Sequence, residues 1–378
     1  MEPVSYLLNC VIFALIVGLY VIWRKRLMST FQRYGINGPK PHLFFGNMRE
    51  LHKEGNVVCV GKWMKEYGPI FGYYVGARRV LIIAEPNILK QIQIKDFKRF
   101  SHRFRGIKKG ISGDPIIQSE LISVGGHRWK ELRTILRQAF TASKLKNSLK
   151  CINDPVDTLI RKIGQHAARG EEFDIYPLFQ GLTMEAIGRS AFGVTTNAQS
   201  NPNDEFFLAT KAIFERSTRN VFIGLSFMFP EFEFILYPLR RLSNMLFNIE
   251  PTNLLIKISS LILEQRRKQN VKRNDLLQAM IDAKVHVERI NTINDDSLAI
   301  NSDMNANDQM SENVPSVEDK VLMKQMNDEE IVANTVLFFE AGYETTSTAL
   351  AFVIHVLVNN EDVQEKVREE VRQLFEKE

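Results

Sequence analysis

Residues 6 to 23, YLLNCVIFALIVGLYVIW, form an almost unbroken apolar stretch in which Asn9 is the only strongly polar side chain. As a helix, this stretch is about long enough to cross a hydrocarbon core of roughly 30 Å. The basic triplet RKR follows at 24 to 26, and Glu2 is the only charged residue before it. Residues 1–26 are therefore predicted to be an uncleaved transmembrane signal anchor, with the rest of the chain on the cytoplasmic side. A cleaved signal peptide or a hydrophobic hairpin is the alternative.

Composition narrows the class of the remaining chain. A chain of 378 residues with 44% hydrophobic and 25% charged residues is typical of a folded protein with one large or two smaller domains. The net charge of +5 comes from scattered residues, so nucleic acid is not an expected partner. Three cysteines without CxxC spacing exclude a disulfide framework and a structural zinc site, and they fit the reducing cytosol.

The chain after the anchor divides by composition. Residues 27–48 are basic and proline-rich and predict a stiff hinge, and residues 49–378 follow as the main domain. Two β-rich runs within 70–86, joined by GARR, predict a hairpin. The polar, acidic stretch at about 290–320 predicts a mobile surface loop. Helical spacing predicts further helices over 127–140, 145–169, 177–193 and 274–283.

The last part of the chain predicts two helices. Asn327 is a candidate N-cap, and Glu330 stands at the capping-box position. The helix that they open is expected to run about thirty residues, to the asparagine pair at 359–360. Beyond it, an apolar stripe predicts a final amphipathic helix; its members are Val363, Val367, Val371 and Leu374. The predicted fold class is mainly α with a small β-sheet region.

The stretch FFEAGYETTSTALAF, residues 338 to 352, places a glycine, a carboxylate and two threonines inside an apolar helix. One interpretation is a close helix–helix contact, with Gly342 admitting a neighbour and Thr345 and Thr346 bonding back to carbonyls one turn earlier. The other is a helix that is bent or locally opened to admit a small ligand, with an acid and a hydroxyl beside it to handle protons.

At this point the sequence resembles the cytochromes P-450, the haem-thiolate monooxygenases. AGYETTS is similar to the motif [AG]-G-x-[DE]-T-[TS] of their long central helix, WKELR to their W-x-x-x-R helix, and GPKP to the proline hinge behind their anchor. NDLLQAMIDA and FTASKLK resemble segments of the drug- and steroid-oxidising clan typified by the vertebrate 3A subfamily. The resemblance implies the family's mainly helical triangular prism with a small β domain.

The resemblance also implies roles for particular residues. Ala341 and Gly342 would form the groove where dioxygen lies over the haem iron. Thr345 would donate a hydrogen bond to the bound oxygen, and Glu344 would relay protons from solvent. The residues that would contact the haem propionates are Trp129, Arg133 and Arg103. The alternatives are that Trp129 is a core aromatic, that Arg133 lies on a solvated helix face and that Arg103 is a surface charge.

The implied activity is insertion of one oxygen atom from O2 into apolar small molecules of a xenobiotic, steroid or fatty-acid-like kind. The cofactor would be haem b, with electrons from NADPH delivered by an NADPH–cytochrome reductase. The implied location is the endoplasmic reticulum membrane, as a single-pass protein with a cytoplasmic catalytic domain. The lipid bilayer is a further expected partner. The aromatic-rich segment 225–239 is expected to touch it, and an ordinary buried helix pair is the alternative for this segment. Six cations are expected to form the reductase-binding face, with a solvated helix face as the alternative; they are Arg128, Lys130, Arg133, Arg137, Lys144 and Lys146.

The sequence departs from the family pattern at the iron ligand. The loop F-x-x-G-x-R-x-C-x-G and the E-x-x-R helix are absent from these 378 residues. Cys10, Cys59 and Cys151 are not expected to ligate iron, because each lies in a setting unlike that loop. The expectation is therefore a C-terminally truncated P-450 fold, as an incomplete record or a truncated product. A catalytically inactive, membrane-anchored helical protein without haem is the alternative function, and a helical small-molecule binder without metal is a third.

Overall fold

A computed structural model describes residues 3–100, 102, 115–137, 140–201, 203–217, 221–247, 251–269, 272–273, 275–283, 285–286 and 323–376. Arg103 and the loop expected at about 290–320 lie outside these described residues. The chain divides into two compact units. Unit 1 comprises the described parts of Met1–Gly113 and Arg219–Asn248, and unit 2 those of Asp114–Thr218, Ile249–Asn294 and Asn301–Glu378.

The described elements are mainly helical, which confirms the predicted fold class. Up to residue 192 they are α1 Pro3–Met28, α2 Thr30–Arg33, α3 Met48–Glu54, α4 Asn56–Tyr67, β1 Ile70–Val75, β2 Arg78–Ile83, α5 Pro86–Lys90, a π-helical turn Gln91–Lys95, α6 Phe97–Phe100, a 3-10 turn Ile116–Ser119, α7 Gly126–Arg137, α8 Ala142–Arg169, α9 Tyr176–Ile187 and a π-helical turn Gly188–Phe192. After it they are α10 Glu205–Ser217, α11 Val221–Met228, a 3-10 turn Pro230–Phe232, α12 Glu233–Phe247, α13 Pro251–Gln269, α14 Leu276–Asp282, β3 Val285–His286, β4 Met323–Lys324, α15 Asp328–Asn359 and α16 Glu361–Phe375.

The predicted hairpin lies in unit 1. β1 and β2 pair antiparallel with Val75 opposite Arg78, so that two residues remain for the turn. The first of them, Gly76, has φ 56°, and a Cβ built on it would lie 2.1 Å from the carbonyl oxygen of Met228. Both the positive φ and this close approach require glycine. The prediction of a hairpin at 70–86 is confirmed.

Helix α1 carries the apolar stretch, and its apolar side chains are exposed from Tyr6 to Leu19. Its segment Tyr6–Met28 is long and apolar enough to span a membrane, and so is α15 by the same measure. The bent pair α11 and Pro230–Ser243 would count as a third span if taken together. Because the first half of α15 is buried in the core of unit 2, α1 is the candidate anchor. This apolar helix suggests that the protein associates with a membrane.

The C-terminal end of α1 is held by a buried cation. The Arg24 side chain is fully buried, and its Nη1 pairs with Oε1 of Glu231 at 3.0 Å. Its Nε donates to the carbonyl oxygen of Leu43 at 3.2 Å, and Tyr20 Oη donates to the same Glu231 oxygen at 2.9 Å. A buried guanidinium requires partners of this kind. These contacts hold the end of α1 against the turn before α12 within unit 1.

Helix α15 is the centre of unit 2 and begins as predicted. The side chain of Asn327 accepts from the backbone N–H of Glu330 at 2.8 Å, and a Glu330 carboxylate oxygen accepts from the Asn327 N–H at 3.0 Å. The helix then runs unbroken to Asn359, so the predicted capping box and the predicted length are confirmed. Phe339 and Tyr343 on its inner face are fully buried in the core of this unit.

The remaining predicted helices are present with shifted ends. The helix expected at 145–169 begins earlier, at Ala142, and the one expected at 177–193 changes to a π-helical turn after Ile187. Leu159, Phe179 and Leu182 of α8 and α9 pack with the second half of α15. The amphipathic helix α16 is confirmed, and its apolar stripe is exposed in the structure.

Candidate functional site

The middle of α15 has one buried face and one open face. Tyr343 is fully buried, whereas the side chains of Ala341 and Thr345, four residues apart, are exposed. Residues with this spacing lie on the same side of a helix. The open face therefore presents a small apolar side chain next to a hydroxyl, which leaves room for a flat or small ligand against the helix.

Gly342 serves close packing within unit 2. A Cβ built at Gly342 would lie 3.0 Å from Cδ1 and 3.1 Å from Cγ1 of Ile187 at the end of α9. Both distances are tighter than ordinary van der Waals contact. The absence of a side chain at Gly342 thus lets α9 approach α15, as the helix-contact interpretation predicted. The groove assigned to Ala341 and Gly342 stays a prediction.

The hydroxyl of Thr345 donates to the carbonyl oxygen of Ala341 one turn earlier. This bond is the local arrangement expected of a threonine inside a helix. It leaves the lone pairs of the hydroxyl oxygen directed away from the helix backbone, on the exposed face. Thr345 can therefore accept a hydrogen bond as it stands, and it can donate one to a ligand only after its hydroxyl turns away from Ala341.

Glu344 is held by α9. Its carboxylate accepts a short hydrogen bond from the hydroxyl of Tyr176 and a second one from Nε2 of Gln180 at 3.3 Å. Burial and the bond to this carboxylate raise the pKa of Tyr176. Two donors from a neighbouring helix satisfy Glu344 as a structural partner. A role in relaying protons would require one of these bonds to open.

The residues expected at the haem propionates lie on α7. Trp129 is buried and Arg133, one turn later, is half-buried. Arg128, assigned above to the reductase-binding face, is engaged inside unit 2, because its Nε contacts Oε1 of the buried Glu330 at 2.6 Å. The bond to Glu330 is also the main cause of the raised pKa of Arg128. This pair joins α7 to the first turn of α15.

Two further acids of unit 2 escaped the sequence analysis. Glu120 is buried, and burial and the charge of Glu340 raise its pKa to about 9. Glu340 is half-buried directly before Ala341, and burial raises its pKa to about 7. The sequence signal was the charge of Glu340 inside an apolar run. No local pattern distinguishes Glu120 from a surface residue.

The cysteines offer no metal centre in the described part of the chain. Cys10 is exposed on α1 and Cys59 is buried in unit 1, where burial raises the pKa of its thiol. Cys151 is half-buried on α8. Among the residues that the structure describes, no group of three or more His, Cys, Asp or Glu side chains could hold a metal ion.

Comparison with known proteins identifies the family. The family model described as cytochrome P450 matches residues 36–378. Thromboxane-A synthase from Sus scrofa is 28% identical over 91% of this chain and 63% of its own length. Lithocholate 6-beta-hydroxylase from Mesocricetus auratus is 29% identical over 96% of the chain and 64% of its own length. Cytochrome P450 3A28 from Bos taurus is 29% identical over 97% and 64%, respectively. The chain thus spans somewhat less than two thirds of the length of these relatives.

Haem iron is the cofactor that this family implies, and the described residues fit one side of its site. The half-buried guanidinium of Arg133 beside the buried Trp129 suits a carboxylate such as a propionate. The open face of Ala341 and Thr345 suits the wall above a flat ring. The iron ligand is not among the residues placed here. With a family model that matches most of its length and relatives along nearly all of it, the chain belongs to the cytochrome P450 family.

Proposed function

We propose that the protein is a membrane-anchored, haem-dependent monooxygenase that inserts one oxygen atom from O2 into apolar small molecules. The electrons come from NADPH through a reductase. Xenobiotic, steroid or fatty-acid-like compounds are the proposed substrates, and the name of one relative, lithocholate 6-beta-hydroxylase, supports hydroxylation of such a compound. Residues 1–26 are the proposed anchor, 27–48 the hinge and 49–378 the catalytic domain.

The open face of α15 carries the proposal. Ala341 and Thr345 stand exposed in the middle of a helix whose opposite face is fully buried, within a family motif for oxygen binding. The haem iron, when bound, would supply the redox chemistry that activates dioxygen. Trp129, Arg133 and Arg103 would hold its propionates, with Arg133 as the charged partner on α7.

Two side chains of α15, Thr345 and Glu344, would transfer protons in the proposed reaction. Thr345 would turn its hydroxyl from the carbonyl of Ala341 towards the ligand and steady a proton there. Glu344 would pass protons to this hydroxyl when its bond to Tyr176 or Gln180 opens. The small side chain of Ala341 and the missing one of Gly342 would shape the groove between them and exclude bulk water.

The test uses the protein expressed from its complete gene, with haem content, the carbon-monoxide difference spectrum and product formed per NADPH consumed as readouts. Thr345→Ala should leave haem content unchanged and lower product per NADPH about tenfold, because a misplaced proton diverts electrons to peroxide or water. Thr346→Ala, an exposed neighbour on the same helix, is the matched control and should behave as wild type. Wild-type coupling in Thr345→Ala would return this threonine to a packing role.

The location proposed is the endoplasmic reticulum membrane, with a single span and a cytoplasmic domain. Two observations support a second membrane contact. Arg24, at the end of the proposed span, pairs with Glu231, and the apolar side chains that follow on α12 are exposed; they include Phe234, Ile235 and Leu239. We propose that this part of the segment 225–239 touches the same bilayer. In sealed microsomes, added protease should digest the domain, and full protection would contradict the orientation.

Fewer of the six expected cations remain available for the proposed reductase-binding face. Arg137 and Lys146 are exposed near the end of α7 and the start of α8, while Arg128 is committed to Glu330. Rising salt should weaken reductase binding, because exposed charges are screened. The charge-reversing pair Arg137→Glu and Lys146→Glu should weaken it at low salt. Binding that ignores both ionic strength and these changes would contradict this face.

A further inference from the structure

The chain directly after the apolar stretch carries positive charge alone. Residues 24–49 contain six lysines and arginines and no aspartate or glutamate. Arg24 is buried and already paired, whereas the side chains of Lys25, Arg26 and Arg33 are exposed. In the described part of the chain, none of these three exposed cations forms an ion pair with a carboxylate. Their charge is therefore available to a partner outside the fold.

Two of the exposed cations lie on one side of a nearly continuous helix. α2 follows α1 after the single residue Ser29, whose N–H donates to the carbonyl oxygen of Lys25 at 3.1 Å. The carbonyl oxygen of Ser29 in turn accepts from the N–H of Arg33 at 3.0 Å, so the helical hydrogen-bond pattern continues through the junction. Arg26 and Arg33 are seven residues apart, a spacing that places two side chains on the same face of a helix.

The side chain of Arg33 is directed back towards the apolar stretch. Its Nη2 donates to the carbonyl oxygen of Arg26 at 2.8 Å and contacts Oγ1 of Thr30 at 3.4 Å. With a rise of about 1.5 Å per residue, the backbone of Arg33 stands about 15 Å beyond Trp23 along the helix, and that of Arg26 about 5 Å beyond it. The guanidinium of Arg33 lies against the turn that begins at Arg26. Two positive charges are thus brought together close to the end of the apolar stretch.

This place corresponds to the headgroup layer of a bilayer. Tyr20 and Trp23 are the last aromatic residues of the apolar stretch, and such side chains are enriched where a span meets the membrane–water interface. The headgroup region extends roughly 5 to 8 Å beyond the hydrocarbon core on each side. When the proposed anchor spans the bilayer, the turn that begins at Arg26 therefore lies among the lipid headgroups.

The chemistry of the cations favours a headgroup with net negative charge. Guanidinium groups pair well with phosphate and carboxylate oxygens, because their N–H donors form a planar fork. A phosphatidylcholine headgroup brings its own positive charge to a place that already holds three cations. The phosphatidylserine headgroup carries a phosphate and a carboxylate against one ammonium, so its net attraction to this place is stronger.

We propose that Lys25, Arg26 and Arg33 form a docking surface for the headgroup of an anionic phospholipid. The phosphate oxygens accept from Arg26 and from the folded side chain of Arg33, and Lys25 adds positive charge beside them. This inference rests on the proposed anchor and goes beyond it, because it names the class of lipid that the end of the anchor selects.

The experiment uses Trp23 as the reporter, because it is exposed on α1 three residues before Arg26. The protein expressed from its complete gene is reconstituted into mixed bilayers of phosphatidylcholine and phosphatidylserine, in which one or the other lipid carries brominated acyl chains that quench tryptophan fluorescence. The ratio of the two quenching efficiencies gives the lipid preference next to Trp23. A Trp23→Phe variant measures the background from the buried Trp63 and Trp129.

Wild type should favour phosphatidylserine about fivefold at low salt, the factor that one cation near an anionic membrane surface contributes. Rising salt should lower this preference, because it screens the charges. Arg33→Gln should lower it about twofold, and the double variant Arg26→Gln, Arg33→Gln should bring it close to one. The matched control is Lys65→Gln, which removes an exposed cation of α4 in the same unit and should keep the wild-type preference.

An unchanged preference in the double variant would overturn the inference, and so would equal quenching by the two brominated lipids in wild type. Quenching by brominated phosphatidylcholine tests the proposed anchor separately. Quenching without a lipid preference defeats this inference alone, whereas the absence of quenching by either lipid defeats the proposed anchor.

Discussion

Replacing Glu120 by glutamine should make unit 2 more stable at alkaline pH. Glu120 has a pKa of about 9 in the folded chain against an ordinary value of 4.5, because burial and the charge of Glu340 both disfavour its ionised form. The folded chain therefore keeps a proton that the unfolded chain releases as the pH rises through the unfolded pKa. The free energy of unfolding should fall with rising pH over this window and level off only above the folded pKa.

The size of the stability loss follows from how steeply the free energy of unfolding changes with pH. One extra proton bound in the folded state changes the free energy of unfolding by about 1.4 kcal/mol per pH unit. Burial raises the pKa of Glu340 only to about 7, so between about pH 7 and about pH 8.5 most of the slope comes from Glu120. Over this window the wild type should lose about 2 kcal/mol that Glu120→Gln retains. With a typical urea dependence, this is a shift of about 1 M in the midpoint.

The assay is urea unfolding followed by far-UV circular dichroism at several pH values in a nonionic detergent. Wild type and Glu120→Gln should diverge steadily above neutral pH, with the variant more stable. Glu329→Gln, which removes an exposed acid from the same unit, should follow the wild type. Parallel curves for wild type and Glu120→Gln between neutral and alkaline pH would refute the reasoning, because Glu120 would then ionise at its ordinary pKa.

Three further substitutions test the contacts around α15, each by thermal or urea unfolding. Gly342→Ala should bring no net gain in the free energy of unfolding, because the added Cβ crowds Ile187. In an Ile187→Val background the same change should stabilise the fold by about 1 kcal/mol through helix propensity. A gain in stability in the wild-type background would contradict the crowding. Arg128→Ala should cost about 2 kcal/mol, because it leaves the buried Glu330 without its cationic partner, and Arg128→Lys should recover part of this. Unchanged stability would mean that solvent replaces the pair. Tyr176→Phe should cost about 1 kcal/mol through its lost bond to the acid of α15; no loss would leave that acid free for proton transfer.

The features that could be predicted from the sequence are those set by neighbours along the chain. The capping box needs only Asn327 and Glu330, three residues apart, and both of its hydrogen bonds are present. The hairpin needs a glycine between two β-rich runs, and Gly76 supplies it. In each case the physical cause and the residue pattern occupy the same few positions, so that the local sequence is sufficient.

The features that were missed depend on residues far apart in the chain. The motif predicts that Glu344 relays protons. In the structure its carboxylate accepts hydrogen bonds from Tyr176 and Gln180, which stand more than 160 positions earlier in the chain. Glu120 and Glu340 stand still farther apart in the sequence, and neither has a pattern around it that indicates the other. Side-chain partners of this kind follow from how the helices pack. A single sequence contains no direct record of that packing.

The polar residues of the apolar run in α15 now divide into two groups. Glu344, Thr345 and Ser347 have hydrogen-bond partners within unit 2, so their burial or exposure is accounted for by the fold. Glu340 differs, because burial raises its pKa to about 7 and its charge in turn raises the pKa of the buried Glu120. A leucine or phenylalanine in its place would satisfy packing at lower cost. Packing alone therefore gives no reason for two acids at this place. The two acids instead make the stability of unit 2 depend on pH, because the folded chain holds the pKa of each acid above its ordinary value.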